Sequence, residues 1–185
     1  MKTLLAFIGL VAILCAIAAA IFFLGGFYNV AGSAAEPDIV KRLLAAVRQA
    51  SVGRHATGTA PASFNDAATV QAGARAFSQR GCVDCHGGPG ADYDKFAEGM
   101  HPEPPDLKDI ANEISPAELF WVIKNGIYMT GMPSFGAIEV PDQEIWSIAA
   151  FVKKLPSVSE EDYKAWTAAA GAPPPREVCG NIFHR

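Results

Sequence analysis

The chain has 185 residues, 50% of them apolar and 18% charged, which suits one compact domain with appendages and is too short for two full-sized domains. Its net charge of −4 argues against non-specific nucleic-acid binding, which needs a basic face, so no nucleic-acid partner is expected. The apolar excess is concentrated at the N-terminus: after Lys2 the next charged residue is Glu36.

Leu4 to Leu24 is an uninterrupted uncharged run. At about 1.5 Å per residue it matches the hydrocarbon thickness of a bilayer. A secretory signal has an apolar region of only about 7–15 residues, so the length favours a retained transmembrane anchor over residues 1–28, with cleavage near Ser33-Ala34-Ala35 as the alternative. Either way the rest of the chain crosses a membrane. Lys2 on one flank and Lys41, Arg42 and Arg48 on the other give a mixed orientation signal, but long domains translocate largely regardless of charge. Cys15, inside the run, reads as an apolar residue of the segment. With Cys82, Cys85 and Cys179 it makes too few and too scattered a set for a disulfide scaffold.

Residues 29–65 are expected to form an amphipathic helix and a linker. Asp38 is the expected N-cap, and Ile39, Leu43 and Val47 recur at helical spacing. This helix reads first as a rigid spacer, able to lie on the domain or along the membrane. A Gly-, Ala-, Thr- and Pro-rich linker follows from Gly53 to Asn65.

Residues 66–155 carry the chemistry. A first helix is expected from Asp66 to Arg80, with Val70, Ala74 and Phe77 on one side, Gly73 where another helix approaches, and Gly81 as its stop. Gly87 to Asn112 lacks periodicity and reads as a long wrapping segment. Ser115-Pro116-Ala117-Glu118 is a capping-box start for a helix to about Lys124, closed by Asn125-Gly126. Pro141-Asp142 starts a last core helix through Leu155, with Ile145, Ile148, Ala149 and Val152 inward and Trp146 alongside. Residues 156–185 read as a short helix capped by Ser157 and Glu160 and a tail containing Pro173-Pro174-Pro175. No strand pattern of useful length occurs, so the domain is expected to be all-α.

The decisive residues are Cys82-Val83-Asp84-Cys85-His86. A C-x-x-C-H sequence at a helix end in an exported chain reads as a c-type haem attachment site: two thiols three residues apart can each bond one vinyl group, and the adjacent imidazole is delivered to the iron. A zinc half-site would want a second Cys/His pair at suitable spacing, and a thioredoxin-like pair a βαβ setting. Neither context is present. For the second axial position Met132, in Thr130-Gly131-Met132-Pro133, is the leading candidate, because core methionines belong on helices and not in a Gly-Met-Pro turn. Met129 competes closely; Met100 and His101 are minor alternatives on a short loop, and His55 and His184 read as exposed polar residues. Phe77, Val83, Leu107, Phe120, Trp121, Tyr128, Phe135 and Trp146 are the candidate wall residues, and the Pro105 carbonyl is the expected acceptor for the other ring nitrogen of His86.

Taken together, Gly73-x-x-x-Phe77, Cys82-x-x-Cys85-His86, Pro105-x-Leu107, Gly131-Met132-Pro133 and a helix around Trp146 resemble the class I c-type cytochromes over Asp66 to Leu155. Glu118 to Gly126 together with Gly131 to Phe135 is similar to their membrane-anchored bacterial subgroup. The resemblance implies the class I cytochrome c fold around one covalent haem c, His/Met ligation, and one-electron transfer in the periplasm by a chain held once in the bacterial inner membrane. The long Gly87 to Asp106 loop and both flanking extensions depart from the family pattern.

The expected function is therefore a tethered electron carrier and not an enzyme, since iron ligated on both faces has no vacant position for substrate. Its partners would be the membrane and redox proteins such as a dehydrogenase or a terminal oxidase. Nine acidic residues against Lys95 and Lys108 between Asp84 and Glu118 point to a basic docking partner. The alternatives are a haem c subunit fixed in a larger oxidoreductase complex, and a haem enzyme or gas sensor with an open axial site.

Overall fold

The structure, a computed structural model, describes residues 1–34 and 36–168. Cys179, His184 and the Pro173–Pro175 run lie outside the described residues. Helix α1, Lys2–Leu24, is long and apolar enough to cross a membrane, and no residue on it is buried by protein, Cys15 included. It belongs to a unit of its own, ending at Glu36.

The second unit starts with α2, Asp38–His55. Pro37 occupies the cap position, so Asp38 is a first-turn acid and not the expected N-cap; its charge still complements the helix dipole. Only the last turns of α2 dock on the domain: Val52 is buried, and the His55 ring stacks on Trp121 with centroids 6.0 Å apart.

Two helices make the core. In α3, Ala67–Gln79, the buried positions Val70, Gly73, Ala74, Ala76 and Phe77 form one face. In α7, Asp142–Lys154, the buried run is Ile145 and Ser147 to Val152. They cross at Gly73, where a Cβ would overlap the Ser147 carbonyl and lie 2.9 Å from the Phe151 Cβ. Glycine is required here for close approach, and the approach brings Phe77 and Phe151 together with ring centroids 5.3 Å apart. Arg80, just past α3, forks onto Glu144 of α7 through Nε (2.7 Å) and Nη2 (3.2 Å).

Gly81, at φ +76°, turns the chain out of α3 into the short helix α4, Cys82–His86. Residues 87–112 then form a Gly88–Ala91 turn, a 3-10 turn at Lys95–Gly99 and the short α5, Leu107–Ile110. Helix α6, Pro116–Asn125, opens with the full capping box: the Glu118 N–H donates to the Ser115 hydroxyl, and the Ser115 N–H and O–H both donate to the Glu118 carboxylate. After α7 a 3-10 turn at Leu155–Ser157 leads to α8, Glu160–Ala168. Ser157 is not its cap. The hydroxyl of Ser157 turns back to the Lys154 carbonyl, and Ser159 accepts from the Asp162 N–H in its place. Tyr163 of α8 stacks on Phe151 at 5.6 Å, closing the core from a third side. The fold is all-α; among the described residues the only β pairing is the isolated Gly88–Ala91 bridge.

The close crossing and the capping box each carry a measurable cost. Gly73→Ala should lower stability by about 3 kcal/mol or prevent folding, because the overlap is with backbone and cannot be relieved by a rotamer change; a urea melt reads it. Ser115→Ala should cost about 1 kcal/mol. Hydrogen bonds from Ser115 hold the Glu118 carboxyl below its ordinary range. That contribution is present above the unfolded carboxylate pKa and is lost as pH falls through the lower folded one. The stability gap between the protein and Glu118→Gln should therefore shrink on acidification.

Candidate functional site

Helix α4 carries two thiols and an imidazole within five residues. Cys82 packs against the core, and burial pushes its thiol up to about 12; burial, followed by the charges of Asp84 and Asp94, raises Cys85 as well. With both thiols raised, neither is poised as the low-pKa thiolate that thiol–disulfide exchange requires. Among the described residues no group of three or more His, Cys, Asp or Glu could hold a metal ion, which removes the zinc reading there.

His86 lies 2.9 Å through Nδ1 from the Pro105 carbonyl oxygen. A carbonyl can only accept, so Nδ1 carries the proton and Nε2 keeps its lone pair for a metal. Burial lowers the imidazole pKa against the opposing pull of the Pro105 bond and the Asp106 charge, favouring the neutral ring that can act as a ligand. The carbonyl itself is pinned by the residues that follow it. Asp106 caps α5 by accepting from the Lys108 N–H at 2.8 Å, and Leu107 is buried in the core. Further along, the Lys153 ammonium of α7 donates to the carbonyls of Ala111 (2.6 Å) and Ile114 (3.0 Å), tying the end of the wrapping segment to the core.

The second candidate element is the turn between α6 and α7. It begins at Gly126, φ +69°, where a Cβ would lie 2.8 Å from the Met132 carbonyl oxygen. Glycine is needed both for the left-handed conformation and for this approach. The turn is stitched from within: the Thr130 hydroxyl donates to the Ile127 carbonyl at 2.7 Å and accepts from the Met132 N–H at 3.1 Å, and the Ile127 N–H donates to the Met132 carbonyl at 3.2 Å. Ser134 and Phe135 return to the carbonyls of Lys124 and Ile123, and Phe135 is buried.

This separates the methionines. Met132 is half-buried and packed against the core, whereas Met129, at φ +61°, is 80% exposed. Met100 sits closer to the turn than its loop length suggested, its sulfur 2.7 Å from where a Cβ on Gly131 would lie; His101 beside it is exposed.

The wall candidates divide likewise. Phe77, Leu107 and Phe135 are buried, and Val83 packs against them. Phe120 and Trp146 have their faces on each other at 4.2 Å, and Trp121 is covered by His55. Successive residues on a helix point about 100° apart, so Phe120 and Trp121 could not serve one wall. Tyr128 is 93% exposed and contributes no buried surface here. Sequence reasoning missed Lys153 and Thr130, whose importance lies in which backbone carbonyls they reach; for Thr130 a side chain able to bond its own turn was the available signal.

The donor set fits a porphyrin held by two sulfurs with an imidazole beside them: an oriented histidine with one free nitrogen, two thiols three residues apart on one short helix, and a buried apolar floor. Residues 68–152 match the family model described as Cytochrome C oxidase, cbb3-type, subunit III. Comparison with curated proteins and with solved structures finds no match. The matched stretch runs from α3 into α7 and is a c-type cytochrome domain, which carries covalently bound haem c and serves electron transfer rather than catalysis; the monohaem His/Met class I arrangement is consistent with it.

Thr130→Val removes both hydroxyl bonds of the turn while keeping the side-chain shape. The Met132 amide should then lose roughly tenfold in hydrogen-exchange protection relative to the core amides of α7, which should not change.

Proposed function

We propose that the chain is a membrane-tethered one-electron carrier whose haem c is bonded through Cys82 and Cys85 and ligated by His86 and Met132. The observation that carries this reading is the 2.9 Å bond from His86 Nδ1 to the Pro105 carbonyl, which leaves Nε2 free and orients the ring on the same five-residue helix as two thiols. Haem c, when bound, supplies a one-electron iron couple. Every other part of the function rests on this chain's residues. Pro105 keeps the imidazole in one tautomer and orientation. The Thr130-stitched turn would hold the thioether of Met132 as the second ligand, leaving no open position for a substrate and raising the potential relative to a site without it. Phe77, Leu107 and Phe135 exclude water from the floor.

Helix α1 is read as a retained anchor in the bacterial inner membrane, with the haem domain in the periplasm. Tethering raises the effective concentration of the carrier near membrane-bound partners. The acidic excess from Asp84 to Glu118 suits a basic docking face on a dehydrogenase or terminal oxidase and makes that association salt-sensitive. A second reading, a haem subunit fixed within an oxidase, is favoured by the description of the matched family as an oxidase subunit. Stoichiometric companions after gentle solubilisation would support it over a free carrier.

The test is spectroscopic. Protein matured in a host competent for haem attachment should keep its colour on the polypeptide in acidified organic solvent, and the reduced form should not bind carbon monoxide. Met132→Ala should bind it, with a fall in reduction potential. Colour lost to the solvent would overturn the thioether reading, and an unaltered spectrum in the variant would remove Met132 as ligand.

A further inference from the structure

Helix α2 carries an apolar stripe that the domain does not use. Ile39, Leu43, Leu44 and Val47 are each more than half exposed; of the two residues that dock the end of α2 on the domain, Val52 projects from the opposite side, and His55 lies about three turns beyond Leu44 on the edge of the stripe. At 100° per residue the four apolar side chains span about 140°, an arc that also holds the half-buried Val40, with Lys41 and Arg48 along one edge of the stripe and Arg42 along the other. From Ile39 to Asn65 the chain has no acidic residue, although the protein as a whole is acidic.

An apolar face bordered on both edges by cations is the arrangement of a helix that lies in the plane of a lipid surface: the aliphatic side chains enter the acyl boundary, and the long basic side chains reach sideways to phosphates. A soluble protein partner would equally take the apolar stripe but would need its own acidic rim on both edges. An anionic bilayer supplies negative charge along both edges at once. We propose that the first three turns of α2 are a second, peripheral membrane contact, selective for anionic phospholipid. The contact would orient the haem domain, because its acidic Asp84–Glu118 surface is repelled by the same headgroups that attract α2.

The proposal draws on the reading of α1 as an anchor only for keeping α2 near the bilayer, and the two can fail separately. Full-length haem-loaded protein is placed in nanodiscs of phosphatidylglycerol with phosphatidylethanolamine, or of phosphatidylcholine alone, and trypsin cleavage after Lys41, Arg42 and Arg48 is followed by mass spectrometry. Cleavage should be roughly tenfold slower on the anionic discs. Leu43→Glu with Val47→Glu, at exposed positions that leave the fold and haem spectrum intact, should abolish the difference, as should molar salt. Retention of the protein on discs in molar salt reads α1 alone, whatever happens at α2. Equal cleavage on both kinds of disc would overturn the proposal. Protection in detergent at the mass of a dimer would overturn it by giving the stripe to a second copy, and protection seen only in native membranes would do so by giving it to a protein partner.

Discussion

An imidazole can serve a metal in one fixed direction only if its second nitrogen is held, and in this protein the holder is a backbone oxygen 19 residues away in the chain, at Pro105. Backbone oxygens are where the fold puts them. This one is placed by Asp106 capping a four-residue helix, by Leu107 sinking into the core, and by the Lys153 ammonium fastening the chain that follows. Lys153 is in turn set by the packing of α7 on α3 across Gly73. The direction of one ring nitrogen is thus the last link of a sequence that begins with the absence of a Cβ.

The same logic governs the opposite candidate element. Its turn is shaped by Gly126 and by the Thr130 hydroxyl, and it is anchored at its end by Phe135, whose side chain is buried and whose N–H reaches back to α6. Each element holds its site side chains on a backbone that is fixed by bonds to the surrounding fold. If His86 and Met132 ligate the haem as proposed, groups held in this way need not reorganise to receive it, which would keep the structural change on electron exchange small.

What could be read from the sequence is what is encoded locally. The stop at Gly81, the box at Ser115–Glu118 and the glycine at the α3–α7 crossing depend on residues within a few positions or on the lack of a side chain, and they stand in the structure as expected. The cap of α8 shows the limit. Ser157 with Glu160 and Ser159 with Asp162 have the same spacing, and the choice between them was made by the 3-10 turn that extends α7 and commits the hydroxyl of Ser157 to Lys154. Pairings across the chain were not legible for the same reason: nothing near Trp121 announces His55, and nothing in the loop around Met100 announces Gly131. Such contacts are decided by how helices pack, which periodicity does not specify.

Tyr163 lies outside the stretch that matches the cytochrome family, yet its ring covers Phe151 at the centre of the core. The recognisable module is consequently not self-sealing. Anyone transplanting this haem unit into another scaffold would have to carry the chain through Ala168, since a graft cut at the matched boundary would leave the α7 aromatic ring facing water and seeking an intermolecular lid.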